Sequence, residues 1–328
     1  MWDFSVSKAL SAVIRTAPFI LLRLVVYLGI AVAYLFASGF GAVLGFGFGH
    51  FGSSPDAPAG GAFWGALIGF GLVSSVLYLG RQYLLYLVKA AHIAVLVEIY
   101  DGQPIPAGQA QLTHGVQFVR SHFAEASVLF GVDLIVKAVL RVITGTLNTI
   151  AAFLPIPGLQ ALVRFLDAVL RVSLTYVDEI ILAYLIRTRT TNPWASAEDA
   201  LVLYAQNYRH ILKNAVWLAL FMWGITLAIF LLLLAPAAGL AALFPGHFGI
   251  WAFALAFIFA WALKAATIEP FAIAALMQVF FKAIEGQTPD PLWSQRLSAA
   301  SGRFRELGSK AAGWAPAAPP AASPKPAT

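Results

Sequence analysis

Long apolar runs separated by short amphipathic stretches set the pattern of this chain. The runs from about Pro18 to Ser38, Gly61 to Glu98, Ala215 to Leu234 and Gly249 to Ile284 are long and apolar enough to cross a bilayer as helices, which takes about 20 residues. A further apolar stretch, Ser127 to Arg187, turns at Pro155-Ile156-Pro157-Gly158 and predicts a hairpin of two more crossings. Between the runs, residues 5–16, Ala107–Phe123, Ser196–Leu212 and Trp293–Lys310 carry apolar positions at helical spacing with polar ones between. Such stretches suit helices lying at the membrane surface. Period-two alternation broken by regular turns is missing, which argues against an outer-membrane barrel.

The order of these elements recurs. The stretches that begin at Pro104 and Pro193 align Leu112 with Leu201, Gln117 with Gln206, Arg120 with Arg209 and Ala126 with Ala215, and Asp101-Gly102-Gln103 returns as Glu285-Gly286-Gln287. The expected fold class is therefore all-α: a polytopic helical membrane protein of three pseudo-repeats, each an amphipathic surface helix plus two spans. The units are residues 1–101, 102–190 and 191–286, with a terminal amphipathic helix at 293–310, all in one transmembrane domain, 1–310. The Ala/Pro-rich tail, 311–328, has too little to bury and is expected to be disordered.

Charge gives the orientation. Lys8, Arg15, Arg120, Arg187, Arg189, Arg209, Lys213, Lys282, Arg296, Arg303, Arg305 and Lys310 lie in or beside the surface helices, while the opposite loops, Gly39–Gly61 and Ala235–Phe248 among them, contain no Lys or Arg. By the positive-inside rule, this predicts six spans, both termini in the cytoplasm and a bacterial-type inner membrane. Eight spans are the alternative, if the second and last long helices break at Arg81 and at Glu269-Pro270. The apolar run after Arg15 outlasts a signal-peptide core and reads as the first span.

Composition narrows the chemistry. The chain has 328 residues, 60% hydrophobic and 11% charged, with no cysteine, so disulfides and thiol chemistry are excluded. The net charge of +6 is accounted for by topology and lipid headgroups without nucleic acid. His114 and His122 share a helix face but lack a third ligand at metal-site spacing. No nucleophile elbow, catalytic triad order or phosphate loop is present, so no enzyme activity, metal or cofactor is expected. Gly47-Phe48-Gly49-His50-Phe51-Gly52 fits a dinucleotide-binding pattern without the strand that should precede it. Gly41, Gly45 and Gly49, like Gly61, Gly65 and Gly69, instead form ladders at every fourth residue, which predicts close packing of the first two spans.

Charges inside the apolar hairpin are the candidate site. Asp133, Lys137 and Arg141 fall four apart on its first helix, and Arg164, Asp167, Arg171 and Asp178 form a second stripe, with Glu179 beside it. Folding at the prolines is expected to set Lys137 near Asp167 and Asp133 near Arg171, with Arg141, Arg164, Asp178 and Glu179 at the mouths of the seam. Arg81, Lys89, Lys264 and Glu269 are secondary members. Charges facing lipid are costly, so the seam either holds helices or subunits in register or lines a path for substrate. Trp64, Trp217, Trp223, Trp251 and Trp261 read as an interfacial belt or as faces for a cation.

The Ser127-Val128-Leu129-Phe130-Gly131 run with Arg141-Val142-Ile143, the Ser196-Ala197-Glu198-Asp199-Ala200 and Tyr204-Ala205-Gln206-Asn207 words, and Glu269 in the last span give the second half a likeness. It resembles the choline transporter-like family of polytopic membrane proteins, without that family's cysteines or large extracellular domain. The resemblance implies a helical bundle that handles small polar or headgroup-like molecules. Transport or permeation of a small polar, ionic or lipid-like substrate along the seam is the expected function. A membrane scaffold recruiting a cytoplasmic partner is the alternative. Expected partners are membrane lipids, further copies of the chain and a cytoplasmic protein.

Overall fold

In the computed structural model, residues 2–122, 128–139, 176–243 and 257–315 are described, and within them the chain is helical with no strands. The helices are α1 (Val6–Arg15), α2 (Ala17–Gly49), α3 (Ala57–Tyr100), α4 (Ala110–His122), α5 (128–139), α6 (Val177–Thr188), α7 (Pro193–Gln206), α8 (Tyr208–Leu243), α9 (Phe257–Ala283), α10 (Pro291–Ala300) and α11 (Gly302–Ala312). Among the described residues, four segments are long and apolar enough to cross a membrane: Ala17–Gly49, Ala57–Ser75, Tyr208–Ala235 and Phe257–Ala283. The protein is a helical membrane protein by this measure.

Local chemistry sets the helix ends. Ser5, Asn192, Asp290 and Ser301 cap α1, α7, α10 and α11, each side chain accepting from a first-turn N–H that would otherwise lack a partner. Pro58, Pro193 and Pro291 stand in the first turns, where no donor is lost. Gly102 and Gly286 both follow a long helix with φ +71°, a left-handed stop that glycine adopts without strain. The acid-Gly-Gln likeness between units thus reappears in the backbone.

Two zones divide the bundle. Around α6, the second half of α3, the end of α9 and α7 lies a continuous core in which Ile93, Leu96, Ile180, Leu185, Leu203 and Phe280 are essentially inaccessible. The α2–α3 hairpin extends from it with Phe36, Phe51, Phe63 and Leu72 on its surface, as a lipid-facing element would. The hairpin closes through the predicted glycine ladders. A Cβ at Gly41 would strike the carbonyl oxygen of Gly65, and one at Gly45 that of Gly61.

At the other end, the chain junctions bond to one another. Arg187 pairs with Asp101 at 3.0 Å, and Gln111 donates to the Arg15 carbonyl at 3.0 Å. Asn192 donates to the Ala311 carbonyl, and Gln206 donates to Gln287, both at 2.8 Å. Asp3 accepts from Lys213 at 2.8 Å and from Asn214 at 2.9 Å. The Lys213 hydrogen bond, then that of Asn214, holds the Asp3 carboxyl down to about 2.

Several expected boundaries shift. Helix α2 continues to Gly49 and α3 starts at Ala57, so the Gly39–Gly61 loop shrinks to a short turn. The 196–212 surface helix is instead the largely buried α7, ending at Gln206, with a new helix from Tyr208. The 293–310 helix is broken at Ser301 into α10 and α11. Order extends into the tail, where α11 reaches Ala312 and Trp314 Nε1 donates to the Thr191 carbonyl at 2.8 Å. The rest of the tail, 316–328, lies outside the described residues.

Neither break required for eight spans occurs. Helix α3 runs unbroken through Arg81, whose side chain lies outside the described set. Helix α9 passes Glu269-Pro270 by widening into a π turn at Lys264–Ile268. The proline ring collides with the carbonyl four residues back in a regular helix. Widening over Ala266 relieves that clash, and the Glu269 N–H bonds five residues back to Lys264.

Candidate functional site

Helix α6 opens with Asp178 and Glu179 in its first turn, where free N–H groups and the helix dipole favour carboxylates. Both are buried. They face two amines from neighbouring helices. Lys89 of α3 reaches Glu179 at 2.7 Å, and Lys137 of α5 reaches Asp178 at 3.1 Å while also holding Asp133, one turn before it, at 2.7 Å. Three carboxylates and two ammoniums therefore interlock across three helices, which is how charge is held within an apolar bundle.

This cluster forms one wall of a cavity of about 640 Å³ between α2, α3, α5, α6 and α9. Glu269, next to the π turn, enters from α9 and makes no hydrogen bond or ion pair among the described residues. Lys89, Lys264 and Arg23 lie within its electrostatic reach. Tyr27 and Trp261, in edge contact at 5.4 Å, and Tyr86 and Phe130, also at 5.4 Å, supply aromatic faces. A second cleft of about 450 Å³, at Gln206, Tyr208, Trp293 and Arg296, lies on the outer polar end, away from the buried charges.

Behind Tyr27, one turn earlier on α2, is Arg23. It is 1% exposed, and its Nε, Nη1 and Nη2 have no hydrogen-bond partner among the described residues. Glu269, Glu179 and Tyr176 are within its electrostatic reach. His92 is close by, stacked on Phe19 at 4.9 Å with its Nε2 at 2.8 Å from Thr16 Oγ1.

The described part of the seam brings in partners beyond the expected ones. Asp178 and Glu179, expected at the mouths, are buried in the first turn of the helix that begins at Val177 and bond Lys137 and Lys89. Lys89 and Glu269, ranked as secondary, line the cavity beside them. Lys264 approaches Glu269 from the same helix. The expected pairs Lys137–Asp167 and Asp133–Arg171, together with Arg141 and Arg164, lie outside the described residues. Spacing arguments pass over Arg23, buried behind the cavity and not part of its lining, although a lone arginine in an apolar span is itself a signal.

The tryptophans separate into two groups. Trp261 lines the cavity, whereas Trp64, Trp217 and Trp223 are exposed on the apolar surface, and Trp251 lies outside the described residues. His114 pairs with Glu98 at 2.7 Å. Comparison with protein-family models, with curated proteins and with solved structures gave no match.

Proposed function

We propose that this protein moves or admits a small polar, ionic or lipid-like substrate across a bacterial-type plasma membrane, with both termini inside. The substrate site in this reading is the cavity among α2, α3, α5, α6 and α9. One observation carries it: ionic side chains from four helices converge on a void of about 640 Å³ in a bundle of apolar spans. A purely structural ion pair needs no void, and interior charges beside space characterise substrate and ion routes. The π turn and Pro270 beside Glu269 add a point where helix α9 can bend.

The scaffold alternative would use the basic face of α11, with Arg303, Arg305 and Lys310. The apolar face of that helix is already occupied, since Phe304 and Leu307 are buried in the protein's own core. Reconstitution into liposomes tests the transport reading. Efflux of labelled cations, anions and zwitterions and scrambling of a fluorescent lipid would be compared for the native chain and Glu269→Gln. Movement of one class by the native protein, lost in the folded variant, is expected. Absence of any movement, or equal movement by both proteins, overturns it.

A further inference from the structure

The cleft of about 450 Å³ at the polar end shares no lining residue with the charged cavity. It opens where α7 gives way to α8 at Asn207, opposite the first turns of α10, which supply Trp293 and Arg296. One side of it is held in place by amides. Gln206 Nε2 and Asn207 Nδ2 both donate to Gln287 Oε1 at 2.8 Å, and Gln206 Oε1 accepts from the Asp290 N–H at 3.1 Å.

Its charge is of one sign. Arg209, His210 and Arg296 line it, and among the described residues no carboxylate does. Elsewhere at this end cations meet acids: Arg187 with Asp101, Lys213 with Asp3, Arg303 with Glu306. His210 too has Asp3 at 3.6 Å. Arg209 and Arg296 form no ion pair among the described residues and lie against aromatic rings instead. Arg296 stands over Trp293 at 5.1 Å, Arg209 Nε donates to the Tyr208 hydroxyl at 3.0 Å, and the Tyr208 and Trp293 rings are 6.1 Å apart. A ring under a guanidinium steadies its face and leaves its N–H edge for the oxygens of an anion.

Position sets the source of that anion. Tyr208 begins the apolar segment Tyr208–Ala235, and both Tyr208 and Leu292, next to Trp293, are exposed. Further along α8, exposed Trp217 meets exposed Trp2 at 5.9 Å. Tyrosine and tryptophan gather where acyl chains give way to headgroups, which puts the cleft at headgroup depth. We infer that it binds the phosphate of an anionic glycerophospholipid, with Arg209 and Arg296 donating to the phosphate oxygens and Tyr208 and Trp293 against the glycerol. A headgroup with its own ammonium would set that cation beside two guanidiniums, with no carboxylate of the cleft to receive it. Topology accounts for basic residues at one end of the spans, but not for two arginines on touching rings in one cleft. The inference is independent of the transport reading.

Native mass spectrometry of the purified full-length protein in neutral detergent tests it, counting bound phosphatidylglycerol and phosphatidylcholine over a lipid titration. The native chain should retain phosphatidylglycerol in preference to phosphatidylcholine. Arg209→Gln combined with Arg296→Gln should weaken that retention at least about tenfold. Lys8→Gln combined with Arg303→Gln removes the same formal charge from exposed positions outside the cleft and should leave retention unchanged. If the first double variant does not fold, Arg296→Gln alone decides, with an expected loss of about fivefold. Equal retention of phosphatidylcholine, or equal weakening in the two double variants, overturns the inference. Inorganic phosphate and glycerol 3-phosphate, added as competitors, distinguish a soluble source. Neither should displace the lipid at millimolar concentration, and binding of either without retention of phosphatidylglycerol would assign the cleft to free phosphate and overturn the lipid source.

Discussion

Residues 57–75 and 86–100 of α3 belong to one unbroken apolar helix of 44 residues, yet they occupy opposite environments. In the first stretch, Phe63, Trp64, Ile68 and Leu72 are exposed, and α2 is met through the glycine ladder and a Tyr34–Phe70 ring contact at 4.8 Å. In the second, Ala90 to Leu96 are buried all round, and the polar side chains Lys89, His92 and Glu98 each have a partner. Apolar content does not distinguish a lipid-facing helix from one in a protein core. Small residues on a single face mark the former, and a bonded charge marks the latter.

The contrast breaks most sharply at Lys89. Lys89→Met strands Glu179 without its cation, and removing one partner of a buried pair costs about 3–5 kcal/mol. A large fall in unfolding temperature is expected, partly restored by adding Glu179→Gln; additive losses would show that the pair is not coupled. In the outer half, Gly65→Leu drives a side chain into the Gly41 backbone and should destabilise by about 1–3 kcal/mol. Denaturant titration in micelles measures both.

A smaller effect lies at the polar end. Asp3 has a carboxyl pKa of about 2 against an ordinary value of 3.8. Lowered in the folded state, it contributes stability that is fully present above 3.8 and disappears as pH falls through about 2. Hydrogen exchange at the Asp3 amide, which donates to Asn214 Oδ1 at 2.6 Å, should therefore accelerate over that window, and Asp3→Asn should remove the dependence. Smallest of all is Gly71→Leu, where open space surrounds the residue. It should shift stability by no more than about 0.5 kcal/mol, and a loss matching that of Gly65→Leu would dissolve the distinction between the helix faces.

Much of this was legible from spacing. The glycine ladders gave the α2–α3 contact, the acid-Gly-Gln words marked two like junctions whose glycines both take φ +71°, and the spacing of Asp133 and Lys137 put them on one helix face, where they pair. What spacing could not give was long-range partnership. Lys89 and Glu179 are ninety residues apart, and nothing periodic links them. Helix boundaries failed for a similar reason: Ser196 to Tyr204 has the composition of an interfacial helix but is covered by α6 and α11. Lone Arg23 sits within an ordinary apolar run, and its proximity to Glu269 arises only once α9 is folded against α2.

The transport reading requires the charged cavity to be open to water rather than lipid. Because the chain has no cysteine, single cysteines can be read cleanly. Leu134 lines the cavity and Leu72 faces outward from the apolar surface. In intact membranes, a charged methanethiosulfonate reagent should modify Leu134→Cys rapidly and Leu72→Cys barely at all. Equal, slow modification at both positions would contradict a hydrated site among these helices.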